Sequence, residues 1–190
     1  PLNVARERHT ATLLPGGGVL LAGGQRYTSG SSEIVVVRDV EGYDPGTGAF
    51  STSGSMTAGR QYHSATLLQT GKVLVAGGQG ASGYLASAEL FDPSGGGGAG
   101  AFAATGALTL AARGYHTATL LPSGKVLVVG GLGAVGVLGT AELFDPSANG
   151  GVGAFSATGS LSTARYLHTA TLLPNGKVLV AGGYGYPAGV

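Results

Sequence analysis

The chain has 190 residues, 43% hydrophobic and 10% charged, with a formal net charge of +1. A balance so close to neutral gives no electrostatic hold on nucleic acid or an anionic membrane, and the lack of any cysteine excludes disulfides, thiolate chemistry and cysteine-ligated metals while leaving the redox compartment open. Glycine accounts for 38 residues, but the glycines stand at fixed offsets between apolar runs and so read as turns of a folded repeat rather than as a low-complexity tail.

In chain order, Pro1–Val4 align with the end of a preceding repeat, since Leu2 stands four residues before an arginine as Met56 and Leu161 do. The first residue is Pro1 and no signal peptide is visible. Four copies of one segment follow: ARERHTATLLPGGGVLLAGG from Ala5, GRQYHSATLLQTGKVLVAGG from Gly59, RGYHTATLLPSGKVLVVGG from Arg113 and ARYLHTATLLPNGKVLVAGG from Ala164. The only histidines, His9, His63, His116 and His168, are spaced 54, 53 and 52 residues apart, and each precedes a double glycine by 14 residues. A period near 50 residues is the signature of a repeat architecture, one supersecondary unit per copy. The copies occupy 5–57, 58–109 and 110–162, with a half unit over 163–183. Both ends cut a repeat, so the sequence is expected to be a piece of a longer protein.

Each full copy predicts four short strands: A (HTATLLP), B (GKVLVAGG), C (AELFDP) and D (GAFSATGSL). The runs are rich in Val, Leu, Thr and Phe and bounded by Gly, Pro and Ser. Strand B is apolar at consecutive positions, Val73 to Ala76, as a strand buried on both faces is. Gly124 and Gly176 supply the turn between A and B, and Asp44-Pro45, Asp92-Pro93 and Asp145-Pro146 stop strand C. No window carries a sustained helical stripe, so no helix of note is expected. Four-stranded units at this period fit blades around a central channel, a β-propeller.

The double glycine after strand B, the aromatic-Asp-Pro at Tyr43, Phe91 and Phe144, and the following Phe50, Phe102 and Phe155 resemble the kelch repeat. The R-x-x-H entry and the LLPxGKVLVxGG run resemble bacterial kelch proteins and the propeller of galactose oxidase. The resemblance implies an all-β, partial kelch-type propeller of three complete four-stranded antiparallel blades plus a half blade. It implies that strand A lines the channel, that strand D is outermost, and that the D–A and B–C loops share the face where ligands bind. Family propellers mostly close with six or seven blades, so the remaining blades of the same protein are expected partners. Bacterial look-alikes lean towards secretion or the cell surface.

Candidate contacts come from the charges. Thirteen of the 19 charged residues occupy repeat positions. Arg6, Arg60, Arg113 and Arg165, three residues before each histidine, either ring the channel mouth for an acidic peptide or sugar acid or pair with Glu41, Glu89 and Glu142 inside the scaffold. The six remaining charges, Glu7, Arg8, Arg26, Glu33, Arg38 and Asp39, all fall in the first copy, whose B–C segment is six residues longer than the others (20 against 14). Loops on a rigid scaffold carry specificity, so Gln25, Arg26, Tyr27, Glu33, Arg38 and Asp39 are candidate ligand contacts, with Tyr84, Tyr184 and Tyr186 adding aromatic surface from equivalent loops. In galactose oxidase a histidine at a similar R-x-x-H position is a copper ligand, but that enzyme also needs a cysteine-linked tyrosine. Repeat symmetry spreads these four histidines one per blade, so each imidazole is expected to bond backbone near strand A, and no metal or cofactor is expected. Gly131–Gly136 and Gly78–Gly83 spell G-x-G-x-x-G, but a strand rather than a helix is expected to follow, which argues against the dinucleotide reading.

No catalytic set can be assembled. The first expectation is therefore a non-catalytic binding module presenting the D–A and B–C loops to a protein or carbohydrate, with no nucleic acid or membrane partner. The alternatives are a fragment of a propeller enzyme resembling galactose oxidase or a kelch-type sugar isomerase, and a passive extracellular spacer or adhesin.

Overall fold

A computed structural model describes residues 2–185. Three four-stranded antiparallel sheets follow one another, each a meander in which strands pair in the order A-B-C-D. The first comprises Thr10–Leu13, Val19–Ala22, Asp39–Asp44 and Ala49–Ser55. The second comprises Ser64–Leu67, Val73–Ala76, Ala88–Asp92 and Ala101–Ala104. The third comprises Thr117–Leu120, Val126–Val129, Thr140–Asp145 and Ala154–Ser160. Thr169–Leu172 and Val178–Ala181 form the A–B half of a fourth. The A strands of successive sheets are neighbours, so the sheets stand side by side as blades with A innermost. The all-β partial propeller expected from the sequence is the observed fold.

Strand B explains why the blades stack. Val73, Leu74, Val75 and Ala76 are all at most 1% exposed. Because a strand's side chains alternate between faces, Val73 and Val75 join Leu20, Ala22 and Val40 of the first blade, whereas Leu74 and Ala76 join Val126 and Val128 of the third. The second sheet is thus sandwiched between the first and the third, and its consecutive apolar run serves two cores. In the half blade the same positions lack that cover, and Leu179 is 54% exposed. Cross-strand aromatic pairs fasten C to D at equivalent places: Tyr43 with Phe50, Phe91 with Phe102 and Phe144 with Phe155, at 4.8, 5.0 and 4.9 Å between ring centroids.

The double glycine has a mechanical role. Gly77 has φ 62°, and a Cβ there would sit 2.6 Å from the carbonyl oxygen of Arg113 and 2.9 Å from His116 Cε1. Gly78 then donates its N–H to that same carbonyl at 2.7 Å. The first glycine lets the next blade's backbone approach, and the second bonds it. Gly24 and Gly131 make the equivalent bonds to Arg60 and Arg165, at 2.8 and 2.9 Å.

Two local features depart from the expectation. The B–C loops are themselves small hairpins: Gln25–Tyr27 with Ile34–Val36, Gln79–Gly80 with Gly83–Tyr84, and Leu132–Gly133 with Gly136–Val137. The G-x-G-x-x-G segments are therefore hairpins with no helix after them, so nothing presents a helix N-terminus to a pyrophosphate. The C–D loops hold a 3₁₀ turn at Gly96–Gly98 and a single helical turn at Ala148–Gly151, the only helical residues among those described. Both contain left-handed residues and pack no apolar face. Among the described residues no helix is long and apolar enough to cross a membrane.

Candidate functional site

The R-x-x-H turn enters each blade at the end of the propeller where the D–A and B–C loops meet. Isolated bridges Glu7 to Gln25, Gln61 to Gln79, Gly114 to Leu132 and Tyr166 to Tyr184 sew the turn onto the segment that follows strand B in the same blade. The expectation that these loops share one face is met by these pairings. What the turn's four residues do differs from one to the next.

The arginines point inward. Arg113 is 0% exposed. Its Nη1 donates to the carbonyls of Gly130 and Thr140 at 3.0 and 2.8 Å, and its Nη2 to Thr140 Oγ1 and Glu142 Oε1 at 2.9 and 3.0 Å. Arg60, also 0% exposed, repeats the pattern on Gly77, Ser87 and Glu89, and Arg6 repeats it on Gly23, Asp39 and Glu41. The carboxylates also accept amides from the chain just before the arginine: Asn3 and Val4 on Glu41, Thr57 on Glu89, and Thr109 and Leu110 on Glu142. Burial pushes the Glu41 carboxyl up, but those amides and Arg6 outweigh it and hold it below its usual range. Of the candidate contacts, Arg60 and Arg113 are thus enclosed and bonded within the scaffold. A guanidinium packed this way cannot reach a ligand at the mouth. Arg165 is less covered and donates to Gly182 at 2.5 Å.

The histidines are enclosed too, with a side-chain partner besides the backbone one expected. His63, His116 and His168 place Nε2 at 2.9 Å from Thr10, Ser64 and Thr117, the first residue of strand A in the preceding blade. The Nε2 partner is a neighbouring hydroxyl, and the backbone of Arg60, Arg113 and Arg165, just ahead of strand A, also lies against these rings and favours their charged form. Burial, then the adjacent Arg60 or Arg113 charge, lowers His63 and His116 to about 3, so both are neutral imidazoles at ordinary pH. The Nδ1 of all four histidines is buried without a hydrogen-bond partner. Among the described residues no three His, Cys, Asp or Glu side chains gather as a metal site.

The residue before each histidine is the one the sequence reading passed over. Arg8, Tyr62, Tyr115 and Leu167 have φ of 59, 54, 56 and 55°, the left-handed region that side-chain-bearing residues avoid. Bonds between blades fix it: the N–H of Tyr115 donates to the Tyr62 carbonyl at 3.0 Å and that of Leu167 to Tyr115 at 3.2 Å. The conformation turns these side chains towards one another at the rim. The Arg8 guanidinium lies 4.9 Å over the Tyr62 ring. Tyr62 and Tyr115 stack at 3.9 Å and 24°, Tyr166 meets Tyr115 edge-on at 6.1 Å, and Tyr184 lies 5.8 Å from Tyr166. Burial, with Tyr166 and Tyr62 nearby, raises the Tyr84 phenol, placing a further tyrosine in this group. The sequence signal was present in the aromatics preceding His63, His116 and, one place earlier, His168.

The other candidates divide. A cleft of about 540 Å³ on the first blade brings Gln25, Arg26 and Tyr27 together with Arg6 and Glu7. Gln25 is buried and bonds Glu7 and Arg8, at 2.6 and 3.0 Å, whereas Arg26 and Tyr27 are exposed. Glu33, Arg38 and Asp39 are exposed but lie outside the cleft, Asp39 accepting a bond from Ser55. Tyr84 and Tyr184 belong to the rim group, and Tyr186 lies outside the described residues.

No protein-family model and no curated protein matches the chain, so the kelch wording of its repeats stands as a likeness in sequence. The fold has solved counterparts. One is a fungal alcohol oxidase of the AA5 family, described as having catalytic diversity and in complex with copper, with a TM-score of 0.69 at 18% identity. The match covers 97% of this chain and 50% of that one, so the chain spans half the length of the enzyme it resembles. The likeness fixes the fold as galactose-oxidase-like. It also corrects the expectation of a module without chemistry, because the solved protein that shares this propeller is an enzyme.

Proposed function

We propose that these blades are part of the propeller of a larger enzyme that oxidises alcohols, and that they supply its wall and part of its rim. The observation that carries the reading is the superposition of nearly the whole chain on a copper alcohol oxidase. The residues described here do not fit a copper ion. His63, His116 and His168 each stand in a different seam with Nε2 on a hydroxyl, there is no cysteine, and no ligand set converges among the described residues. On this reading the metal belongs to residues outside 2–185. What these residues offer a substrate is the rim, where Tyr62, Tyr115, Tyr166 and Tyr184 give apolar ring surface and phenol groups.

The test is oxygen uptake by the full-length protein after incubation with Cu(II), across simple, sugar and aryl primary alcohols. Uptake that depends on both copper and alcohol is the expected result. A full-length protein that binds no copper and consumes no oxygen with any of them overturns the reading.

A further inference from the structure

We infer that Tyr62 and Tyr115 form a site of oxidative cross-linking, at which a one-electron oxidant joins the second and third blades through a carbon–carbon bond between the two rings. The inference goes beyond the proposed enzymatic role and does not depend on it. Four observations carry it. The rings come from different blades yet stack at 3.9 Å and 24°, the closest aromatic approach among the described residues. Their backbones are tied by the N–H of Tyr115 on the Tyr62 carbonyl at 3.0 Å, with both residues left-handed, so the stack is held in place at its root. Arg8 lies 4.9 Å over the Tyr62 ring, which limits the ring's freedom to swing away from Tyr115. Both side chains are only half-buried, so a diffusing oxidant can reach them.

A left-handed backbone is strained for any residue but glycine. The chain uses glycine freely elsewhere, yet this position holds Arg8, Tyr62, Tyr115 and Leu167. A purely structural turn would be better served by glycine, so the side chains at this position are what the turn presents. Because there is no cysteine, a covalent tie between blades has to come from another side chain.

The chemistry balances without further groups. The oxidant takes one electron from each phenol, and each phenolic proton leaves to water, giving two phenoxyl radicals. An ortho carbon of one ring bonds an ortho carbon of the other as the rings slide in their stack. Each ring then loses its ortho hydrogen as a proton while its oxygen regains one. In net terms two electrons and two protons leave, and two C–H bonds are replaced by one C–C bond.

The experiment exposes the full-length protein to visible light with a ruthenium trisbipyridyl complex and persulfate, at several protein concentrations. The linked peptides are then mapped by mass spectrometry. The expected product is an intramolecular link between Tyr62 and Tyr115, short of two hydrogens, with dityrosine fluorescence and a yield independent of protein concentration. Y62F and Y115F keep the ring stack but cannot form the phenoxyl radical, and each abolishes that link, whereas Y166F retains it. Tyr27 and Tyr184, at 54% and 67% exposure, are the internal competitors. A dominant link through either of them, a product found only between molecules, or a 62–115 link surviving in Y115F overturns the inference.

Discussion

Arg113 and Tyr115 are two residues apart in one turn and occupy different regions of the molecule. The arginine is fully buried in the seam between blades, with every nearby carbonyl and carboxylate arranged around it. The tyrosine stands on the rim, in a backbone conformation that glycine would adopt at less cost. The seam is closed by polar groups that satisfy one another, whereas the rim is built from rings that touch one another and remain open to solvent. A charge repeated in every blade thus belongs to the scaffold, and an aromatic repeated beside it belongs to the surface. Steric demand separates the two. The seam must seat a neighbouring backbone at bonding distance, as Gly77 and Gly78 show, and the rim has only to present side chains.

The largest break in that comparison is Arg113→Ala, which leaves the Glu142 carboxylate buried without its cation. Loss of one partner of a buried pair costs about 3–5 kcal/mol, read as a fall in the urea unfolding midpoint. Replacing both residues with apolar ones of similar volume costs less than the single change, since no charge is left stranded.

Acid probes the seam next. His63 and His116 titrate near pH 3 in the folded chain, well below the ordinary histidine value of 6.5. Their stabilising contribution is complete above the unfolded value. It is lost as pH falls from there towards the folded one, because the unfolded chain binds the extra protons. The expected slope is about 1.4 kcal/mol per pH unit for each of the two histidines in that window. Unfolding curves across the acid range check it, and His116→Gln removes one histidine's share of the slope.

At the rim the expectation is smaller. Tyr115→Asn relieves left-handed strain of about 1–2 kcal/mol while losing an aromatic contact worth about 0.5–1.5 kcal/mol. The two nearly cancel, so the midpoint moves little where Arg113→Ala moves it far. A large loss from Tyr115→Asn would erase the distinction between seam and rim. The smallest effect belongs to Lys125→Ala. Its partner Asp145, 3.0 Å away, is partly exposed and also accepts bonds from Ser147, so thermal unfolding is expected to be unchanged within error.

The period of the histidines and double glycines, the consecutive apolar run of strand B and the Asp-Pro stops determined the blades and their strand order, because these are local patterns set by turn geometry and by burial on two faces. The pairing of Arg6, Arg60 and Arg113 with Glu41, Glu89 and Glu142 was legible as one of two options, since repetition alone does not say whether a charge points inward or outward. Only the tertiary structure decided that His63, His116 and His168 bond a hydroxyl of the preceding blade, and that Arg8, Tyr62, Tyr115 and Tyr166 meet in one arc. Those contacts join residues about 50 positions apart through a left-handed turn. A single copy of the repeat carries no signal for them. They exist only when one blade's entry lies against the next, at a distance set by glycines that leave room for it.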